Sequence, residues 1–171
     1  MAKRNNNGNG KRLITQQSVD QAVKTICDIM RRGNCAGAMQ YVPELTWILF
    51  LRILDEKERH EEQEAEALGI NFRPSLESPY RWHDWAQPPE TLPDGQKNKR
   101  AELQDAPQGS LFAFVNGQLL PCLKELKNQP DATSRQKVIS EIMTGVEKVR
   151  IDTERNFLDV LDKVHQLSVE A

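Results

Sequence analysis

Apolar positions recur at helical spacing over most of the chain. Residues 19, 22, 23, 26, 27 and 30 are apolar. That spacing predicts an amphipathic helix from Ser18, where Ser18-x-x-Gln21 reads as a capping box. Arg31 and Arg32 suit the negative end of its dipole, and Gly33 closes it. A second helix is predicted over about 42 to 68, with Pro43 in its first turn. Leu45, Trp47, Ile48, Leu49, Phe50, Leu51, Ile53 and Leu54 run almost without interruption. A buried strand is the competing reading of so short an apolar run. The good helix formers of 55–68, stopped by Gly69, decide for a helix. Its first half is expected to be central, and its second half a charged, solvated extension.

A third helix is expected from Ser110 to Lys127, with a kink where Gly117 and Pro121 weaken it. A fourth begins near Asp131 or Thr133 and is expected to bury Val138, Ile139, Ile142, Met143 and Val146. A fifth follows Asp152 as N-cap and is expected to bury Phe157, Leu158, Leu161, Val164 and Ser168. No alternating pattern of useful length argues for a strand. The fold class is therefore all-α, a bundle of about five helices.

Between the helical halves lies an irregular, proline-rich stretch, residues 70–109. Prolines 74, 79, 88, 89, 93 and 107 block long helices and central strands there. Trp82 and Trp85, three apart, share one side of a helical turn. They are candidates either for anchoring this loop to the bundle or for stacking on bases. Residues 1–14 are low in complexity (Asn5-Asn6-Asn7-Gly8-Asn9-Gly10) and read as a flexible basic arm. Residues 15–171 read as one helical domain.

Charge changes the picture by its distribution. The formal net charge is −2, from 23 basic and 25 acidic residues. That excludes a histone-like basic protein and an acidic disordered tail. Residues 1–32 nevertheless hold seven basic side chains against two acidic, and residues 55–66 seven acidic against two basic. Lys3, Arg4, Lys11, Arg12, Arg31 and Arg32 are the candidate DNA-binding residues, since a flexible arm can track phosphates. The alternative is a solubilising terminus.

Three cysteines without a C-x-x-C favour a reducing cytoplasm. No apolar run reaches membrane-spanning length, and Met1–Lys11 lacks the apolar core of a secretory signal. Catalytic signals are absent from the sequence: no G-x-S-x-G, no H-E-x-x-H, and no glycine-rich turn between strand and helix. Neither catalytic, cofactor nor metal residues are assigned. Glu61, Glu62 and Glu64 read as a solvated face rather than a di-metal site. Cys27 reads as a small buried hydrophobe. His83 reads as a loop anchor rather than an acid–base partner of Asp84, its immediate neighbour.

Several strings go further. Ile48-Leu49-Phe50-Leu51-Arg52-Ile53-Leu54-Asp55 resembles the hydrophobic helix near the start of modification (M) subunits of type I restriction–modification systems. Pro79-Tyr80-Arg81-Trp82-His83-Asp84-Trp85-Ala86 resembles the Pro-x-x-Trp-x-x-Trp-Ala segment that comes next in one branch of that family. Leu111-Phe112-Ala113-Phe114-Val115-Asn116, with Leu119-Leu120-Pro121-Cys122-Leu123-Lys124, is similar to the next helical block. Val160-Leu161-Asp162-Lys163-Val164 resembles the helix leading towards the catalytic domain.

The resemblance implies the N-terminal helical domain of a subunit that methylates adenine N6 in DNA with S-adenosylmethionine. It implies DNA, a specificity (S) subunit, a second M subunit and a restriction (R) subunit as partners. It carries over no catalytic or cofactor residue. The family's Asn-Pro-Pro-Phe or Asn-Pro-Pro-Tyr motif and its cofactor glycines have no counterpart here, and no Asn-Pro pair occurs at all. The expectation is a shortened form of the subunit or a short gene product, inactive alone. Other readings are a free-standing helical adaptor or oligomerisation module, and a small helix-turn-helix regulator, for which no convincing recognition helix stands out.

Overall fold

The computed structural model describes residues 16–33 and 38–167, with side chains over 20–33 and 41–167. Every long element is helical, and no strand forms among the described residues. The first helix, α1, spans Gln16–Arg32, and the second, α2, spans Ala38–Ala67. Short helices come next at Trp82–Trp85 (α3) and Lys99–Asp105 (α4). The helical stretch after them is composite: α5 (Ser110–Phe114), a π turn (Val115–Leu119), α6 (Leu120–Glu125) and a 3-10 turn (Leu126–Asn128). Then come α7 (Ser134–Met143) and α8 (Glu154–Gln166).

α1 packs along α8, and α2 also lies against α8, so the last helix joins the first two. One apolar core runs through them, including Ile26, Met30, Ile48, Leu51, Phe157, Leu161 and Val164. Gly33 makes the α1–α8 end close. Its carbonyl accepts the Asp152 N–H at 3.1 Å. A Cβ at Gly33 would stand 3.1 Å from Asp152 Oδ1 and from Ile151, tighter than ordinary contact.

Several boundaries differ from the sequence expectation, each for a local reason. α1 is already helical at Gln16, so Ser18 lies inside it rather than at its cap. Gln16 and Gln17 are themselves good helix formers. α2 begins at Ala38, which puts Pro43 inside the helix. The helix runs through, forgoing the one bond that proline, which has no N–H, cannot donate. The cap of α8 is Thr153, whose side chain accepts from Asn156 N, while Asp152 accepts the Asn156 side-chain amide. Pro121 likewise lacks the N–H that the carbonyl of Gly117 would need. Where the kink was expected, the chain widens to a π turn in which Leu120 N–H reaches the Val115 carbonyl.

Two expectations of burial are also corrected. Val138 and Ile142 are 51% and 39% exposed. α7 has one covered side, against α6 and the 3-10 turn, and Gln136, Ile139, Ser140 and Met143 take it. On α2, Val42 and Ile53 are exposed, so the first half is covered on part of its circumference only. In the second half Asp55 and Glu58 are buried, not solvated. They continue the inward row of Ile48 and Leu51 at helical spacing, so burial outlasts the apolar residues. The helix then ends at Gly69 (φ +68). Ile70 N–H bonds the Ala65 carbonyl and Gly69 N–H the Glu66 carbonyl, a left-handed C-terminal closure.

Residues 70–109 are irregular in path but tightly held. Ser75 N–H and hydroxyl both donate to Glu58, and Gln136 Nε2 donates to the Ser75 carbonyl. Asn98 caps α4 through its oxygen, while its amide nitrogen donates to the carbonyls of His83 and Gln87. Both tryptophans face the core.

Candidate functional site

The sequence candidates fall in three places. Lys3, Arg4, Lys11 and Arg12 lie outside the described residues. Arg31 and Arg32 sit at the exposed C-terminal end of α1. Arg31 pairs with Asp28 at 3.2 Å and lies over the Tyr41 ring at 5.6 Å. Arg32 pairs with Asp159 of α8 at 3.5 Å. Both guanidinium groups are thus held near carboxylates and still face solvent. Trp82 and Trp85 are 1% and 0% exposed, packed edge to face at 5.7 Å. Trp85 also stacks on Phe157 and Trp82 on His165. Neither ring has a face open to a nucleic acid base.

A polar network surrounds the tryptophans. His83 does not face its neighbour Asp84 closely: Nε2 is 3.7 Å from it, whereas Nδ1 is 2.8 Å from Asp55 on α2. Arg81 Nε lies 4.0 Å from Asp55, and the Arg81 guanidinium reaches Glu62. Arg52 bonds Glu56 at 2.8 Å and donates to the His165 carbonyl near the end of α8. The Trp82 indole N–H donates to His165 Nδ1 at 3.1 Å. Burial, aided by Arg52, pushes the His165 pKa down to about 4. This histidine is therefore a neutral acceptor at neutral pH.

Ion pairs tie elements together elsewhere. Arg100 is buried, donates to the Ala86 carbonyl and meets Asp162 of α8 at 2.6 Å. Arg135 of α7 bridges Glu58 and Glu61 of α2. Its hydrogen bonds hold the Glu61 carboxyl below, and the Arg135 guanidinium above, their ordinary pKa values. The half-buried Cys122 thiol is pushed up by burial. Among the described residues no group of three or more histidine, cysteine, aspartate or glutamate side chains is placed to hold a metal ion.

Sequence reasoning missed this network. Asp55, Glu58, Arg100 and Asp162 find their partners far along the chain, and the readable signal was the inward spacing of Asp55 and Glu58. Open clefts mark the surface among the described residues, and two of them border α8 or the connection before it. One, of about 460 Å3, runs between the 105–109 turn and α8. The other, of about 730 Å3, lies between α2, the π turn and the connection before α8. The arrangement as a whole orders a helical module.

Residues 19–164 match the family model described as HsdM N-terminal domain. The chain is 32% identical over 125 residues to the type I restriction enzyme EcoEI methylase subunit of Escherichia coli. That match covers 72% of this chain and 22% of the relative, so the chain spans about a fifth of that relative's length. A modification subunit of a candidate type I restriction enzyme from Vibrio vulnificus has a similar fold, with TM-score 0.63 and 27% identity. The likeness covers 92% of this chain and 32% of that one. A chain from a study of complex assembly and conformational transition of the type I restriction–modification system gives TM-score 0.65 and 32% identity. There the coverage is 92% of this chain and 27% of the other.

Proposed function

The chain belongs to the HsdM N-terminal domain family, and from that premise we propose that it helps close a type I methyltransferase on DNA and contacts its partner subunits. The observation that carries the reading is the match over residues 19–164, which takes in the bundle from α1 into α8. The parent activity is adenine-N6 methylation of DNA using S-adenosylmethionine, in the cytoplasm. The parent's partners are DNA, an S subunit, a second M subunit and an R subunit.

The target adenine has to leave the base stack to react. A helical domain that closes over the duplex favours the bound, flipped state without touching the reacting atom. Exposed Arg31 and Arg32, with Lys3, Arg4, Lys11 and Arg12 of the arm, would meet backbone phosphates. Trp82 and Trp85 would order residues 70–109 on the bundle and so fix the domain's outer shape.

The test is gel-shift titration of duplex DNA across a salt series, using an intact complex of M and S subunits with and without residues 1–14. The expected result is weaker binding and a shallower salt slope after the deletion, because each phosphate contact adds to that slope. Unchanged affinity and slope would remove the arm from the mechanism. The adaptor reading predicts no binding of the 171-residue chain to nonspecific duplex at any salt.

A further inference from the structure

The larger cleft, about 730 Å3, is not accounted for by the reading above. Glu44 of α2 lies at its floor, 3% exposed. One carboxylate oxygen accepts the Trp47 indole N–H, and the other accepts the Arg150 backbone N–H. Both donors are neutral. The Arg150 guanidinium turns outward, 3.9 Å from Glu147. Among the described residues no cationic group forms an ion pair with Glu44. Burial accordingly holds its pKa above the usual carboxylate value. The Arg150 charge acts on Glu44 without pairing with it, burial outweighs that attraction, and the two carboxylate oxygens offer more acceptor positions than the two in use.

The rest of the cleft is preformed. Its outer wall, the connection before α8, is tied to three elements. Val149 N–H donates to Asn116 at 2.9 Å, Arg150 N–H to Glu44, and Asp152 N–H to the Gly33 carbonyl. Asn116 sits in the π turn and lines the cleft, and its amide NH2 has no protein partner among the described residues. Pro43, Phe112 and Val146 add apolar wall. The charged lining is three acids, Glu44, Glu147 and Asp152, against Lys148 and Arg150, and with the Asn116 amide and the apolar flanks it favours one kind of group. It is a guanidinium on an aliphatic stem, next to a backbone carbonyl. Arginine suits such a place better than lysine, since its planar fork is weakly hydrated and bonds carboxylates through two nitrogens.

We infer that this cleft receives an arginine side chain from a partner protein, with the guanidinium on Glu44 and the arginine's own carbonyl at Asn116. The inference deepens the partner-contact part of the proposed function and rests on it for the source of the arginine alone.

The test uses the 171-residue chain, 15N-labelled, titrated with N-acetyl-arginine methylamide and with the neutral isostere N-acetyl-citrulline methylamide. The Trp47 indole signal and the Val149 and Arg150 amide signals report on the cleft. Saturable shifts are expected with the arginine probe, and binding about tenfold weaker with citrulline, as loss of one charge-assisted contact implies. Glu44→Gln should abolish the difference between the probes. Asn116→Ala, which leaves the buried acid in place, should weaken the arginine probe several-fold. No saturable shift, equal binding of the two probes, or full affinity in Asn116→Ala would overturn the inference. Failure of an M subunit carrying this domain to assemble with its S subunit would instead sink the proposed function and leave the titration result standing.

Discussion

The α1–α8 pair and the 70–109 segment are held in place by different means. α1 and α8 meet through apolar rows, Ile26 and Met30 on one side and Phe157, Leu161 and Val164 on the other, repeated at helical spacing. The 70–109 segment has no repeat. It is held by two tryptophans and by single polar side chains reaching across the chain: Glu58 to Ser75, Asn98 to His83 and Gln87, and Arg100 to Asp162. In the first region each contact resembles its neighbours, so the loss of one leaves the pattern standing. In the second each contact is of its own kind.

The sharpest way to break that contrast is to remove one large side chain from each region. Trp85→Ala should cost about 3–5 kcal/mol, and Ile26→Ala about 2–5 kcal/mol, in urea unfolding. The two variants should differ more in where protection is lost than in how much stability goes. Amide hydrogen exchange should rise through 70–109 in Trp85→Ala and stay localised near α1 and α8 in Ile26→Ala. Uniform loss of protection in both variants would dissolve the distinction.

A smaller effect is expected from pH. The folded state holds His165 neutral, with its pKa lowered to about 4 from the usual 6.5. Between those values the unfolded chain binds more protons, so stability should rise with pH across that window. It should be fully present above about 6.5 and lost as pH falls towards about 4. Thermal unfolding of wild type and His165→Gln over pH 4 to 7 checks this, the variant giving the flatter profile.

Asn98→Ala should cost about 1–2 kcal/mol, because a helix cap and two bonds across the segment go together. The same cap at Thr153 makes no such crossing bonds, and Thr153→Ala should cost about 1 kcal/mol. Smallest of all, Arg32→Ala removes an exposed pair with Asp159 and should change stability by under about 0.5 kcal/mol. A larger loss would mean that the α1–α8 contact depends on that pair.

The same contrast explains what could be read beforehand. The α1 and α8 rows were legible because burial there keeps to one period. The Leu111–Leu126 stretch was legible as a helix, but not its π turn, which depends on how the chain answers the missing N–H of Pro121. Val138 and Ile142 were misread because α7 carries apolar residues on two sides, and periodicity alone does not say which side another helix covers. Asp55 and Glu58 were misread in the opposite sense. Charge suggested solvent, while their position on the Ile48–Leu51 row, answered by His83, Ser75 and Arg135, put them inside. In the candidate site, the arginines at the end of α1 were legible as exposed charge. The Glu44 cleft was not, since Glu44, Asn116 and Val149 come together only in the folded chain.

Glu154 has a consequence in time rather than in space. It belongs to α8, yet its carboxylate accepts the N–H groups of Gly109 and Phe112 and so closes the start of α5, 42 to 45 residues earlier. A ribosome delivering the chain from its first residue releases α5 well before this closing group exists. α1 waits for the same helix. Until α8 emerges, the nascent protein holds an open helix end and an uncovered apolar row, and these are what a chaperone would grip. The last helix acts as a keystone, and the module settles after its synthesis rather than during it.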